Sequence, residues 1–369
     1  MTENERALPE HHLEHTFDFA EEWKEDGLWN LFPSEKLDLM ADRGWENQTI
    51  KTEFILLGFQ YLPTLQVLLF LVLLLIYIMT MSGNILIIAL VATDRHLHTP
   101  MYFFLGNLSC LETFYTSTIL PRVLASLLTG DRTISGRCCI TQLYFFAFLA
   151  ATECYLLAMM SYDRYLAICK PLHYTNHMNG VLCIQLAAGS WVSGCLASTI
   201  TNILMSKLTF CGPKEIDHFF CDFPSIIHLS CSDTHLLELI VYTFAAIFTL
   251  PPFLLTLLSY AYIIVTILRM PSTMGRHKAF STCSSHLIVV TLFYGTIMLV
   301  YLLPKTVMLR DLSKIFSVFY SVVTPLVNPI IYSLRNKEVK EALKKVIHKF
   351  MTVQGYWISF LLRFILKRN

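Results

Sequence analysis

The stretch from Ile140 to Ile168 reads ITQLYFFAFLAATECYLLAMMSYDRYLAI and ends on an adjacent Asp163 and Arg164. An apolar helix needs about 20 residues to cross a bilayer, so this stretch is long enough to span one. At the end of a span, Arg164 is costly unless it is paired or extends to the headgroups. Two interpretations fit. The pair anchors a helix end, or it is a switch in which Arg164 is either held by Asp163 or released to an intracellular protein.

Composition places the whole chain in a membrane. Of its 369 residues 54% are hydrophobic and 15% charged, and the mean hydropathy is +0.53, which excludes an ordinary soluble globular protein. We predict an all-α membrane protein with seven transmembrane helices. The predicted spans are Leu62–Ala92, Met101–Leu120, Ile140–Ser161, Val181–Met205, Leu236–Leu268, Ala279–Leu303 and Ile315–Leu334.

The distribution of charge predicts the orientation. Residues 1–53 hold 14 acidic and 5 basic side chains. Of the 23 basic residues that follow, 15 lie in the segments after predicted spans one, three, five and seven. Basic loops favour the cytoplasmic side, so we expect the N-terminus outside and the C-terminus in the cytoplasm. No cleavable signal peptide is visible, and we expect the first span to act as the targeting signal.

Longer strings identify a family resemblance. Residues Met160–Cys169, followed by Lys170-Pro171-Leu172-His173-Tyr174, closely resemble the third-helix motif of the olfactory receptors, a branch of the rhodopsin-like G-protein-coupled receptors. The strings that begin at His98, Lys278 and Pro325 are similar to the same family. The resemblance implies a receptor for small volatile odorants in the plasma membrane, and in the cilia of olfactory neurons. It also implies activation of a stimulatory, olfactory-type heterotrimeric G protein that raises cyclic AMP.

We expect three regions along the chain. Residues 1–61 form an extracellular segment that is largely disordered, because its first 46 residues are acidic and lack a helical or strand period. This segment contains a predicted N-glycosylation site at Asn47, in Asn-Gln-Thr, about 15 residues before the first span. Residues 62–335 form the receptor domain. Residues 336–369 form a cytoplasmic tail that begins with a short amphipathic helix on the membrane surface, and residues from 351 onward depart from the family.

Cysteines on the predicted outer side suggest disulfides. Spacing alone leaves their connectivity open, whereas the resemblance pairs Cys139 with Cys221 and Cys211 with Cys231. An alternative is a metal site, because a histidine stands three residues before each of Cys221 and Cys231. An oxidising exterior favours the disulfides.

The resemblance also indicates a ligand pocket. Phe146 lies 18 residues before Arg164, five helical turns or about 27 Å nearer the outside on the same face. Related receptors for amines carry an Asp at the corresponding place, so Phe146 disfavours a protonated amine ligand. An apolar pocket with Tyr301 as a hydroxyl partner suits a small hydrophobic, oxygenated molecule. On its own, a stripe of aromatic and Met side chains is more typical of packing, and it is the resemblance that favours a pocket wall. The predicted wall consists of Phe146, Ala147, Ala150, Phe244, Ile247, Phe248, Ile297, Met298 and Tyr301.

A second group of residues is predicted to transmit activation. Pro329 removes a backbone hydrogen bond from the seventh span, and Asn328 can satisfy the groups it frees. The resemblance makes this the Asn-Pro-x-x-Tyr switch. The residues assigned to activation and G-protein coupling are Asp163, Arg164, Tyr165, Tyr260, Tyr294, Asn328, Pro329 and Tyr332.

Two carboxylates lie inside predicted spans, Glu112 in the second and Glu153 in the third. The resemblance places Glu112 where related receptors hold a sodium ion with an Asp. Two alternatives remain open: a cation between the carboxylates, or a protonated pair that is hydrogen-bonded.

Other classes fit less well. A channel or transporter needs polar lines or broken helices beyond these two carboxylates. An enzyme needs a nucleophile–base set or a phosphate loop, and none is visible at interpretable spacing. We therefore expect neither enzymatic activity, nor a cofactor, nor a nucleic-acid partner.

Overall fold

A computed structural model describes residues 53–58, 65–206, 208–210, 214–227, 229–231, 234–301, 307–335 and 338–346. Four sequence-based predictions lie outside these residues: the disorder of residues 1–46, the glycosylation site at Asn47, Cys211 as a disulfide partner, and the tail beyond residue 351.

Seven long helices make up most of the described chain. They are α1 Gln66–Thr93, α2 Pro100–Thr129, α3 Gly136–Cys169, α4 Gly180–Met205, α5 His235–Arg269, α6 Thr273–Tyr301 and α7, which comprises Val307–Val318, a π-helical turn at Phe319–Val323 and Thr324–Arg335. Each predicted span overlaps one of them. A further helix, α8, covers residues 338–346.

Within the described residues, five helices are long and apolar enough to cross a membrane by composition: α1, α3, α4, α5 and α7. In α2 the charges of Glu112 and Arg122 lower the hydropathy, and α6 begins with a polar turn before its apolar part, His286–Tyr301. Glu112 has a buried partner in Asn328, as polar residues inside a bilayer require, whereas Arg122 contacts Asp131 and the Thr133 carbonyl at the exposed end of α2.

Local sequence explains where several helices begin and end. Pro100 occupies the first turn of α2, where its missing N–H costs little, and Gly130 ends the helix with a left-handed backbone at φ +74°. Ser135 caps α3 by accepting from the Cys138 amide at 3.3 Å. Asn179 caps α4 by accepting from the Leu182 amide at 2.8 Å.

A small sheet joins three loops at one end of the bundle, which we call the strand end. Its strands are β1 Glu53–Leu56, β2 Thr133–Ser135 and β3 Glu215–Ile216, in the order β2-β1-β3. The β1–β2 pair is antiparallel and the β1–β3 pair is parallel. The opposite end carries Asp163 and Arg164, and we call it the arginine end.

Strand β1 lies near the end of the predicted extracellular segment 1–61, of which the structure describes residues 53–58. Phe54 and Leu56 alternate along the strand and are 3% and 6% exposed, so the strand buries one face against the loops. The helical and acidic patterns of the sequence gave no sign of this short pairing.

Helix α3 lies at the centre of the bundle, in contact with α2, α4, α5 and α6. It approaches α4 closely at Gly194. A Cβ atom built there would lie 2.6 Å from the Phe148 carbonyl oxygen and against the Thr152 side chain. The absence of a side chain at Gly194 therefore sets the distance between α3 and α4.

We expect Gly194→Ala to lower the stability of the bundle by about 1–3 kcal/mol, because the added methyl group overpacks a close helix contact. Thermal unfolding of the purified protein measures this effect. Gly189→Ala is the matched control, since a Cβ atom there meets nothing within 4 Å. Equal stability of the two variants would contradict the close α3–α4 contact.

Candidate ligand pocket and coupling site

A cavity of about 140 Å³ lies toward the strand end of the bundle, between α3, α4, α5, α6 and the loop that follows α4. Most of the lining is aliphatic or aromatic. The lining residues are Leu143, Phe146, Ala147, Ala150, Ala151, Cys154, Ala197, Ser198, Thr201, Asp222, Phe223, Val241, Tyr242, Phe244, Ala245, Phe248, Thr249, Ile297 and Tyr301. Such a surface favours a small, largely apolar ligand.

The structure places most of the predicted wall residues on this cavity: Phe146, Ala147, Ala150, Phe244, Phe248, Ile297 and Tyr301. Ile247 and Met298 do not line it, which corrects the prediction for both. Ile247 is 56% exposed on the outer surface of α5, because one residue turns a helix by about 100° and Phe248 faces inward. Met298 is likewise one residue past Ile297.

Phe146 forms the centre of an aromatic group at the cavity. Its ring lies 5.6 Å from Tyr115, 4.9 Å from Phe220 and 5.9 Å from Tyr320, measured between ring centroids. The contacts join α2, α3, α7 and the loop after α4. Tilted aromatic pairs at these distances are favourable beyond their buried area, so Phe146 links the cavity wall to three other parts of the fold.

The loop after α4 is fixed to the start of α3, at the strand end. The structure contains the Cys139–Cys221 disulfide that the resemblance implies. The Cys221 amide also donates to the Gln142 side-chain oxygen at 2.9 Å. Because Cys221 is in a disulfide, it is not a metal ligand, and the alternative metal site fails at that residue.

The second part of the loop is also paired. Cys231 is disulfide-bonded, and the partner that the resemblance assigns, Cys211, lies outside the described residues. Phe210 and Ser230 form an isolated antiparallel bridge, and the Cys231 amide donates to the Thr209 carbonyl at 3.1 Å. These contacts bring residues 209–210 beside residues 230–231.

His218 anchors the same loop to α7. It is 3% exposed, its Nε2 lies 3.2 Å from the Ser317 hydroxyl, and its ring packs on Phe219 and Phe220 at 4.6 Å. Burial, with a smaller contribution from the nearby Lys314 ammonium, lowers the pKa of His218 to about 3. The imidazole is therefore neutral at physiological pH.

Asp222 is a pocket residue that the sequence reasoning missed. It lines the cavity, is 3% exposed, and accepts a hydrogen bond from the Tyr301 hydroxyl at 2.8 Å. As expected, α3 presents Phe146 to the cavity where related amine receptors carry an Asp. The loop after α4, however, brings the side chain of Asp222 to the same cavity. The available signal was its position directly after Cys221, since a disulfide to the start of α3 holds the next residue over the bundle.

A polar contact in the middle of the bundle joins α1, α2 and α7. Asn328 donates to Glu112, and Asn84 donates to the Pro325 carbonyl at 3.3 Å. Glu153 lies near enough to Glu112 for electrostatic interaction, and both of its oxygens are buried without a hydrogen-bond partner among the described residues. A cation or a protonated carboxyl group would satisfy this arrangement, so both alternatives remain.

At the arginine end, Asp163 is fully buried and holds two partners. Arg164 donates to it through Nε at 2.9 Å and also through a terminal nitrogen, and the Tyr174 hydroxyl donates at 2.7 Å. Tyr165 stacks on Tyr162, 6.3 Å between centroids, and contacts Tyr262. The structure therefore shows Arg164 in its paired arrangement.

The remaining predicted relay residues lie on α5, α6 and α7. The Tyr260 hydroxyl is 2.6 Å from His286 Nδ1, and the Tyr294 hydroxyl donates to the Cys154 carbonyl at 2.7 Å. Tyr332 is buried, and its hydroxyl has no hydrogen-bond partner in the part of the chain that the structure describes. His286 was not predicted; its buried place beside Tyr260 follows from helix packing that the sequence alone does not give.

Two contacts hold α8 against the bundle. The Tyr102 hydroxyl donates to Glu338 at 2.7 Å, and Lys345 pairs with Asp94 at 3.2 Å. Val339 is 2% exposed, as expected for one face of an amphipathic helix, whereas Val346 at the end of the helix is 43% exposed. The buried side of α8 is formed by Val339 and Ala342, which is 2% exposed, with Leu343 packed beside them.

Comparison with known proteins agrees with this geometry. Residues 73–350 match the family described as olfactory receptor. The chain is 50% identical to human olfactory receptor 11L1 over 304 residues, which is 82% of this chain and 94% of that protein. It is 51% identical to human olfactory receptor 10A7 over 302 residues, 82% and 96% of the two chains. Mouse olfactory receptor 5AP2 is 47% identical over 306 residues, 83% and 96%.

The chain belongs to the olfactory receptor family. It is accordingly a seven-helix, multi-pass protein of the plasma membrane and not an enzyme. The seven long helices of the structure correspond to the seven spans of this receptor family. This includes α2 and α6, although their hydropathy is lower.

The low pKa of His218 makes receptor stability depend on pH. Below about pH 6.5 the unfolded chain binds a proton at this histidine that the folded receptor does not, so stability falls as pH falls toward 3. We expect a loss of about 2 kcal/mol near pH 5 by this linkage. Thermal unfolding at several pH values measures how steeply stability falls with pH. This dependence should be shallower for His218→Gln than for the control His96→Gln, which changes an exposed histidine. Equal slopes would contradict the buried, neutral state.

A cation between Glu112 and Glu153 would stabilise the folded receptor. We expect sodium, exchanged for choline at constant ionic strength, to raise the free energy of unfolding by about 1.4 kcal/mol at ten times its dissociation constant. Glu153→Gln should abolish the increase, because it removes one of the two charges. No effect of sodium on the wild-type receptor would reject the cation and leave the protonated pair.

Proposed function

We propose that this receptor binds small hydrophobic odorants in the cavity below the loop and then activates a stimulatory, olfactory-type heterotrimeric G protein, which raises cyclic AMP. The observation that carries the proposal is the cavity itself. Seven residues predicted as its wall converge there from α3, α5 and α6, and the disulfide-anchored loop closes the strand end.

The proposed direction of signalling follows from orientation. The strand end would face outside, since the disulfides belong to an oxidising compartment, and the arginine end would face the cytoplasm. Asn47 would then carry the glycan on the outer side, and Cys211 would pair with Cys231. The residues of α8 would lie on the inner leaflet, where lysines favour anionic lipid.

The proposed switch is the Asp163–Arg164 pair. In the paired arrangement Asp163 accepts from both Arg164 and Tyr174, and the Arg164 side chain is 14% exposed. Odorant binding would favour a state in which Arg164 is released and contacts the G protein. Tyr260, Tyr294, Asn328, Pro329 and Tyr332 would carry the rearrangement between the cavity and this end.

Cyclic AMP production tests the proposal in cells that express the chain with the olfactory G-protein α subunit. We expect an odorant response that Arg164→Ala abolishes at unchanged surface expression, because the switch loses its charge. Arg95→Ala is the matched control: Arg95 is exposed near the same end, and its loss should leave the response. A response that survives Arg164→Ala would refute the switch. Odorant-evoked current without G protein would indicate a channel.

A further inference from the structure

The cavity is long in the direction of the helices and narrow across them. Its lining runs from Leu143 to Cys154 on α3 and from Val241 to Thr249 on α5. At 1.5 Å per residue these two stretches are about 16 Å and about 12 Å long. A cavity of about 140 Å³ that extends over such a length has little width.

The protein bounds the cavity at both ends. At the strand end, Asp222 and Phe223 of the disulfide-anchored loop belong to the lining. At the inner end, the Tyr294 hydroxyl donates to the Cys154 carbonyl at 2.7 Å, and the Tyr294 ring lies 5.2 Å from the Phe253 ring. These contacts join α6 to α3 and to α5 at that level, so a ligand is limited in length as well as in width.

Small side chains provide the space inside the cavity. Five of the lining residues are alanine, and they come from three helices: Ala147, Ala150, Ala151, Ala197 and Ala245. An alanine side chain has no atom beyond Cβ, so any methyl group added at one of these positions would occupy part of the cavity. The width that a ligand meets therefore depends on these five positions.

The walls around the alanines are held by contacts across the bundle. The Phe146 ring packs against aromatic rings of α2, of α7 and of the loop after α4. Ser198 donates to the Tyr144 carbonyl at 2.6 Å, which joins α4 to α3 beside the cavity. Close-packed interiors resist changes of shape, so a ligand with a branch too wide for the cavity pays a steric cost.

We propose that the cavity selects ligands by shape: it accepts a single unbranched hydrocarbon chain and disfavours branched isomers, with Ala150 of α3 and Ala245 of α5 as specificity-determining residues. This proposal rests on the proposed odorant-binding function and names the class of odorant. It does not depend on the hydrogen bonds of the polar lining residues, because it concerns isomers that carry the same polar group.

Ligand-dependent thermal stabilisation of the full-length receptor in lipid nanodiscs tests the proposal without a G protein. One pair of probes is n-octanol and 2-ethylhexanol, which are isomers with the same hydroxyl group. The second pair is n-octanal and 2-ethylhexanal, and each probe is supplied at a measured free concentration. We expect the unbranched isomer to bind at least about tenfold more tightly in both pairs, since one misplaced methylene in an apolar pocket has an effect of this size.

Ala150→Val and Ala245→Val each narrow the cavity. We expect either change to lower the affinity for n-octanol and n-octanal by about tenfold, because the added methyl groups take space that the chain needs. Ala261→Val is the matched control, since Ala261 lies on α5, is exposed and does not line the cavity. The control should keep the wild-type affinities, and unchanged affinities in both narrowing variants would refute the role of the two alanines.

Phe248→Ala tests the proposal in the opposite direction, because it widens the cavity and remains informative if a valine variant fails to fold. We expect the preference for the unbranched isomer to fall by about tenfold in both pairs, as the branched isomers gain room. Phe114→Ala is its control, since Phe114 is 53% exposed on α2 and does not line the cavity. It should keep the wild-type preference.

Three results would overturn the proposal: equal affinities of the two isomers for the wild type, an unchanged preference in Phe248→Ala, or no stabilisation by any of the four probes. The proposed signalling function fails separately. A receptor that prefers the unbranched isomers but raises no cyclic AMP would refute G-protein coupling and leave the selection by shape intact. Equal cyclic AMP responses to both isomers, at equal affinities, would refute the selection by shape and leave signalling intact.

Discussion

Polar groups inside a bilayer must find their partners within the protein, and this constraint fixes the bundle at three levels. At the strand end Tyr301 donates to the loop after α4, in the middle Asn328 donates to Glu112, and at the arginine end Asp163 holds Arg164. The first two contacts join segments that are far apart in the chain. Because water cannot replace a lost partner at the membrane centre, a helix that moves must exchange one complete set of contacts for another, which favours discrete states over gradual deformation.

Two helices connect these levels. Helix α3 carries Phe146 at the cavity and Arg164 at the other end, and helix α6 carries Tyr301 at the cavity and His286 beside Tyr260. In the proposed mechanism, a ligand that alters the contacts of Tyr301 acts on the same helix that packs against the arginine end. The cavity and the coupling site are thus linked by rigid elements that the structure describes, and the link requires only that α6 shift relative to α3.

Periodic and composition-based features were predictable from the sequence, and long-range pairings were not. Each of the seven apolar stretches predicted from the sequence overlaps one of the seven long helices. Helical spacing places Phe146 and Ile297 on the cavity correctly, whereas Met298, predicted by the same spacing, does not line it. On α5, depth in the membrane alone predicted Phe244, Ile247 and Phe248; the first and last line the cavity and Ile247 does not, because depth does not determine which face of a helix turns inward. The β1 pairing and Asp222 depend on how loops cross the end of the bundle, for which a single sequence carries no period. The pairing of Cys139 with Cys221 came from family resemblance and not from spacing.

The link between the cavity and the arginine end can be measured most directly at Cys283. This thiol is buried on α6 in a cluster with Tyr260, Ile263 and Ile267. The rate at which a cytoplasmic maleimide labels Cys283 is compared with and without the odorant that gives the strongest cyclic AMP response, with Cys283→Ser as the background. The odorant is expected to increase the labelling rate, because α6 must leave this cluster when Arg164 is released. An unchanged rate during a full cyclic AMP response would contradict the proposed coupling.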